Sequence, residues 1–165
     1  MTRWIALAFA GVLAGPALGQ GCFGAGEPLF HCTFKNGTRA VDICLQGDVG
    51  IYRYGPSEAA SELLLADRVE VMFMLPWNGV GSSIYEELGF TNGDVDYTVH
   101  YAVSRIAADE PEVTGGITVT KADQKLAELT CDPGSVEVRE FYPVYLAKEA
   151  KGQCWDRTAF SWGAC

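Results

Sequence analysis

The sequence predicts an all-β fold: an antiparallel meander of about eight strands, closed as a barrel or folded as a sandwich. Three observations predict it. Short β-type runs are cut by turn signals roughly every eight to twelve residues. One segment alternates at strict period 2. Six cysteines lie beyond a leader-like N-terminus, an even set that reads as three disulfides.

The first strands flank Asn36-Gly37, the preferred dipeptide of a two-residue type I′ hairpin. That turn pairs the run Leu29 to Lys35 with Thr38 to Leu45. Phe30, Cys32, Val41 and Ile43 then share one face, while His31, Asp42 and Cys44 share the other. In that register Cys32 and Cys44 cannot bond to each other. Val49 to Tyr54, Glu62 to Ala66 and Arg68 to Leu75 follow as strands. In the last, Val69, Val71 and Phe73 alternate with Glu70 and Met72. Pro76 to Ser83 is a loop, Ile84 to Phe90 a strand, and Asn92-Gly93 a turn.

The segment from Val95 is the clearest strand. Val95, Tyr97, Val99, Tyr101 and Val103 form one face; Asp96, Thr98, His100, Ala102 and Ser104 form the other. Ile117 to Lys121 and Lys125 to Cys131 make a hairpin. The sheet thus spans roughly residues 29–131. The tail 132–165 is short, irregular or helical, with a helix expected over Val144 to Lys151. A barrel would remove exposed sheet edges, and a two-sheet sandwich is the alternative.

Residues 1–19 read as a signal peptide. Arg3 supplies the positive charge, Trp4 to Leu13 an apolar run of about ten residues, and Ala17 and Gly19 the small residues of a cleavage site. A spanning helix needs roughly twenty apolar residues. The mature chain, a single β-rich domain over 20–165, is expected to start at Gln20 and to have no membrane attachment. Its cysteines are Cys22, Cys32, Cys44, Cys131, Cys154 and Cys165. Cys154 and Cys165 are the readiest pair, because both sit in the short tail. There is no Cys-x-x-Cys, and His31 and His100 lie far from any cysteine pair, so no metal is expected. The chain has 21 acidic and 12 basic side chains, a net charge of −9. That balance disfavours nucleic acid and anionic membranes and permits a basic partner.

No phosphate loop, dinucleotide fingerprint, Gly-x-Ser-x-Gly elbow or His-Glu-x-x-His is present, and no cofactor is expected. His100 is the best acid–base candidate, with Asp96 on the same strand face. The bland alternative is a surface histidine, and His31 is expected on the outer face too. Glu86 and Glu87 point to opposite faces and cannot act as a pair. Asp94 and Asp96 lack the ligand count of a calcium site. Tyr52, Tyr54, Tyr97 and Tyr101 line either a cavity or the core.

The runs Phe90 to Val99, Phe30-His31-Cys32 with Asn36-Gly37, Tyr52-Arg53-Tyr54-Gly55 and Leu129-Thr130-Cys131 resemble uncharacterised exported β-domain proteins of proteobacteria. That resemblance implies the periplasm of a Gram-negative bacterium. A second one, to the bacterial inhibitors of C-type lysozyme, rests on Gly81-Ser82-Ser83-Ile84-Tyr85 between an early and a late cysteine, Cys32 and Cys131. The order here is Gly-Ser where that family has Ser-Gly. The resemblance implies a basic protein such as lysozyme as partner, and Ser82, Ser83 and Tyr85 as binding residues. The expected function is a non-enzymatic periplasmic binding or protective domain. The alternatives are a small hydrolase-type enzyme using His100 and a cell-envelope structural protein.

Overall fold

The computed structural model describes residues 22, 26–57, 59–106 and 110–165. Residues 1–19, expected from the sequence to be a signal peptide, lie outside them. The chain is mostly β, in two five-stranded antiparallel sheets and one separate hairpin. The first sheet holds β1 (Glu27–Phe34), β2 (Arg39–Gln46), β3 (Val49–Pro56) and β4 (Leu63–Arg68). The second holds β5 (Phe73–Leu75), β6 (Ser83–Asn92), β7 (Val95–Ser104), β8 (Val113–Lys121) and β9 (Gln124–Thr130). The tail then adds β10 (Val138–Arg139) beside β1, a helix α1 (Tyr142–Ala150), and the hairpin β11 (Gln153–Asp156) and β12 (Ser161–Ala164).

The predicted meander is therefore two meanders stacked as an open sandwich. The change of sheet occurs at 69–72, inside the run expected as one strand from Arg68 to Leu75. The backbone turns there, with Val71 and Met72 N–H groups both donating to the Arg68 carbonyl. Val69 and Met72 plug the core, while Val71 is 76% exposed. Alternation across 69–73 thus marks a plug at a sheet crossover, with only Phe73–Leu75 left as strand.

Period-2 faces set the core. Tyr52 of β3 meets Phe90 and Tyr97 of the second sheet at ring distances of 5.6 and 5.8 Å. Phe141 closes one end against Tyr101 and Phe30, at 5.1 and 6.1 Å. Its side chain is fully buried, so Phe141→Ala would cost about 3–5 kcal/mol. The four tyrosines singled out from the sequence belong to this core or pack against it.

The β1–β2 hairpin keeps its predicted register: Phe30 opposes Ile43, and Cys32 opposes Val41. Its turn is wider than expected, because Lys35, Asn36 and Gly37 all take positive φ. Asp132 holds it, accepting from the Asn36 and Gly37 N–H groups at 3.1 and 2.8 Å.

The disulfides follow the strand faces. Cys32, on the inner face, bonds Cys131 just past β9 and joins the two sheets. Cys44, on the outer face, bonds Cys22 and ties down the N-terminal segment. Cys154 and Cys165 close the last hairpin, as their spacing suggested. No helix among the described residues is long and apolar enough to cross a membrane.

Candidate functional site

The three described tryptophans stand outside the sandwich core, and they gather along strand β5. Trp155 and Trp162 face each other across the β11–β12 hairpin, with ring centroids 5.6 Å apart. The Trp162 indole N–H donates to the Met74 carbonyl at 2.9 Å. Gln153 donates its amide to the Glu70 carbonyl at 3.0 Å. These two bonds hang the hairpin on the free side of β5. Between hairpin and strand lies a cleft of about 330 Å³, walled by Val71, Phe73, Trp155, Phe160 and Trp162.

Its floor carries charge. Helix α1 buries Val144 and Lys148, in line with the buried N-cap Phe141 at i, i+3 and i+7. A lysine in that stripe is carried to a core position, and Lys148 is 1% exposed. Its ammonium makes one long hydrogen bond, 3.4 Å to the Gln153 side chain, and lies 5.3 Å from the Trp162 ring centroid. An ammonium has three donors. Burial holds its pKa down at about 8. Glu70 lies beside the same cleft. One of its oxygens accepts from Arg68 at 2.9 Å, and the Arg68 bond holds its pKa down at about 2. The other oxygen, Oε2, is buried without a hydrogen-bond partner. The cleft thus offers an underused cation, an unused anionic acceptor and indole faces.

Phe160 separates this cleft from a smaller one of about 200 Å³, lined by Leu75, Pro76, Trp77, Val80, Ser83 and Tyr85. Here the predicted loop residues take their places. Trp77 lies under the Arg105 guanidinium, 4.9 Å from its ring centroid, and donates to the Val80 carbonyl at 3.1 Å. Arg105 also donates to the Gly81 carbonyl at 2.9 Å and, through its backbone N–H, to the Ser82 carbonyl at 2.8 Å. Ser82 is exposed in this fastened loop. Ser83 opens β6 opposite Ser104, and Tyr85 lies two residues along that strand on its outer face. Ser83 and Tyr85 line the small cleft together. The expected binding loop is thus half loop and half paired strand.

His100 differs from the expected surface histidine. Its ring stacks on Tyr85 at 5.9 Å and is half-buried, and burial lowers its pKa. Glu87 stands opposite on β6, and its carboxylate is bonded by the Tyr85 hydroxyl. Asp96 instead accepts from Thr91 at 3.1 Å. It lies four positions along the strand from His100, about 13 Å of chain. His100 and Asp96 therefore form no acid–base pair. Glu86 points inward, as the opposed faces required, and accepts from the Tyr101 hydroxyl at 2.5 Å.

His31 is on the outer face as expected, but it is buried. Its Nδ1 lies 2.7 Å from one Asp42 oxygen, and the other Asp42 oxygen accepts from Arg53 at 2.8 Å. The Asp42 hydrogen bond raises the His31 pKa against the opposing effect of burial. No group of three potential metal-ligating side chains converges among the described residues.

Lys148 and the β11–β12 aromatics were not singled out from the sequence. The signal was present: aromatic residues alternating across a disulfide-closed tail, and a lysine in phase with Phe141 and Val144. No protein-family model, curated protein or solved structure matches the chain.

Proposed function

We propose that this chain is an exported, non-catalytic binding domain, and that its ligand-facing surface is the aromatic groove along β5. One observation carries the reading: Trp77, Trp155 and Trp162 border two adjoining clefts, and of the three only Trp162 also packs against the core. Binding sites of this kind combine aromatic walls with a few convergent polar groups, and Lys148, Gln153 and Glu70 are such groups. The three disulfides and the leader-like N-terminus support export, and the resemblance to exported proteobacterial domains supports a Gram-negative periplasm. The separation of His100 from Asp96 supports a non-enzymatic reading.

The test is a titration of the mature protein with Nile red, a neutral apolar dye. One saturable site is expected, with quenched tryptophan emission. Trp155→Ala should weaken it at least tenfold. Leu126→Ala, on the exposed side of β9, should leave it unchanged. Absence of a saturable site, or a site indifferent to Trp155, refutes the reading.

A second reading, docking of a basic protein such as a C-type lysozyme, is favoured by the net charge of −9 and by the exposure of Ser82 and Tyr85. It predicts that excess protein slows cell-wall lysis by the lysozyme and that Tyr85→Ala relieves this. Undiminished lysis removes it.

A further inference from the structure

The polar floor of the larger cleft is asymmetric in a way that selects a ligand. Lys148 has donors to spare, and its side chain is buried. Glu70 Oε2 is a buried acceptor with no donor. The two do not form an ion pair with each other, since Glu70 pairs with Arg68 and Lys151. Both side chains line the cleft, so a ligand that answers both must accept from Lys148 and donate to Glu70.

An anionic group would satisfy Lys148 but meet the Glu70 carboxylate. A lone ammonium would satisfy Glu70 but meet Lys148. A hydroxyl does both with one oxygen, since it carries one donor and two lone pairs. It also enters an apolar cleft at far smaller desolvation cost than an ion. The walls add a second requirement. Trp155, Phe160 and Trp162 offer flat apolar faces, and the two indoles are tilted by 52°. A ligand that meets both requirements has an apolar face, a rim of hydroxyls and no charge. The net charge of −9 further disfavours polyanions.

The geometry points to a neutral saccharide as the ligand of this cleft, its hydroxyls bridging Lys148 and Glu70 and its ring face lying on the Trp155–Trp162 wall. This rests on the proposal that the β5 groove is a binding site.

The experiment is a tryptophan-fluorescence titration of the mature protein with maltotriose, cellotriose and tri-N-acetylchitotriose, with glycine and acetate as charged controls. In a chain starting at Gln20, which lacks Trp4, Trp155 and Trp162 report on this cleft and Trp77 on the adjoining one. At least one trisaccharide should give a saturable change and displace Nile red; glycine and acetate should give none. Lys148→Met, Glu70→Gln and Trp155→Ala should each weaken the response at least tenfold. Lys148→Met is the decisive variant, because a methionine of similar length keeps the buried site filled, and its thermal unfolding shows that the fold persists. Silence of all three trisaccharides overturns the proposal, as does a response to glycine or undiminished binding by Lys148→Met. If Nile red binds where the sugars do not, the saccharide class falls and the groove stands. If neither binds, both fall.

Discussion

Around His31, buried charge is closed upon itself. Asp42 is flanked by His31 and Arg53, and the second terminal nitrogen of Arg53 donates to the Ala59 carbonyl at 2.9 Å. Beside β5, the opposite holds. Lys148 is buried with one long hydrogen bond, and Glu70 keeps an oxygen without a partner. The first lies on the outer face of interior strands β1 and β2, the second beside the edge strand β5, and both bury ionisable groups. The first has the form of a structural network, since both Asp42 oxygens are answered within the chain. The second leaves capacity for something outside it.

The contrast can be broken most sharply at Asp42, whose side chain is 3% exposed. Asp42→Ala removes the carboxylate that answers the buried His31 imidazole and the partly buried Arg53 guanidinium, and should destabilise the fold by about 3 kcal/mol. A denaturant midpoint within error of the wild type would show that the network is not structural. Lys148→Met should act in the other direction. It removes a cation held near pKa 8 against an ordinary 10.5, so at pH 7 it should stabilise by about 1–3 kcal/mol. A depressed lysine pKa means that the unfolded chain binds the extra proton. The wild type should therefore gain stability as pH rises from 8 towards 10.5, and the variant should lack that gain. Thermal unfolding of the pair across this range checks the sign.

The smallest effect is expected at His31, and its sign is opposite. Its folded pKa is raised by Asp42, with Glu137 adding to the rise, and burial and Arg53 opposing it. The contribution is complete below the unfolded value of 6.5 and fades as pH climbs through the raised folded value. Asp42→Asn should flatten that slope while leaving the alkaline gain at Lys148 in place.

The closed region was the more legible of the two. Asn36-Gly37 set the β1–β2 register, and that register placed His31 beside Asp42 and separated Cys32 from Cys44. Period 2 from Val95 to Val103 placed the second sheet. What it could not give was burial: a strand's outer face reads as solvated until something covers it, so His31 passed for a surface residue. The open region depended on longer-range facts. The plug at Val69 and Met72 imitates strand alternation, and β11 and β12 have only four residues each. Lys148 keeps its helical phase with Val144, but sequence reasoning gives a lysine to water by default. Non-local packing of the tail against β5 decided otherwise.

The bond between Cys32 and Cys131 has a consequence for handling the protein. It closes a covalent ring that contains nearly all of both meanders, with 99 residues of separation between its ends. A single peptide cleavage within that ring, at the exposed Val80 for example, opens the chain without releasing a fragment. The cut molecule would run as one species until a thiol is added. Its two parts would then separate, one carrying Cys22, Cys32 and Cys44 and the other the remaining three cysteines. Comparing digests with and without reductant would therefore reveal nicks that a non-reducing gel conceals.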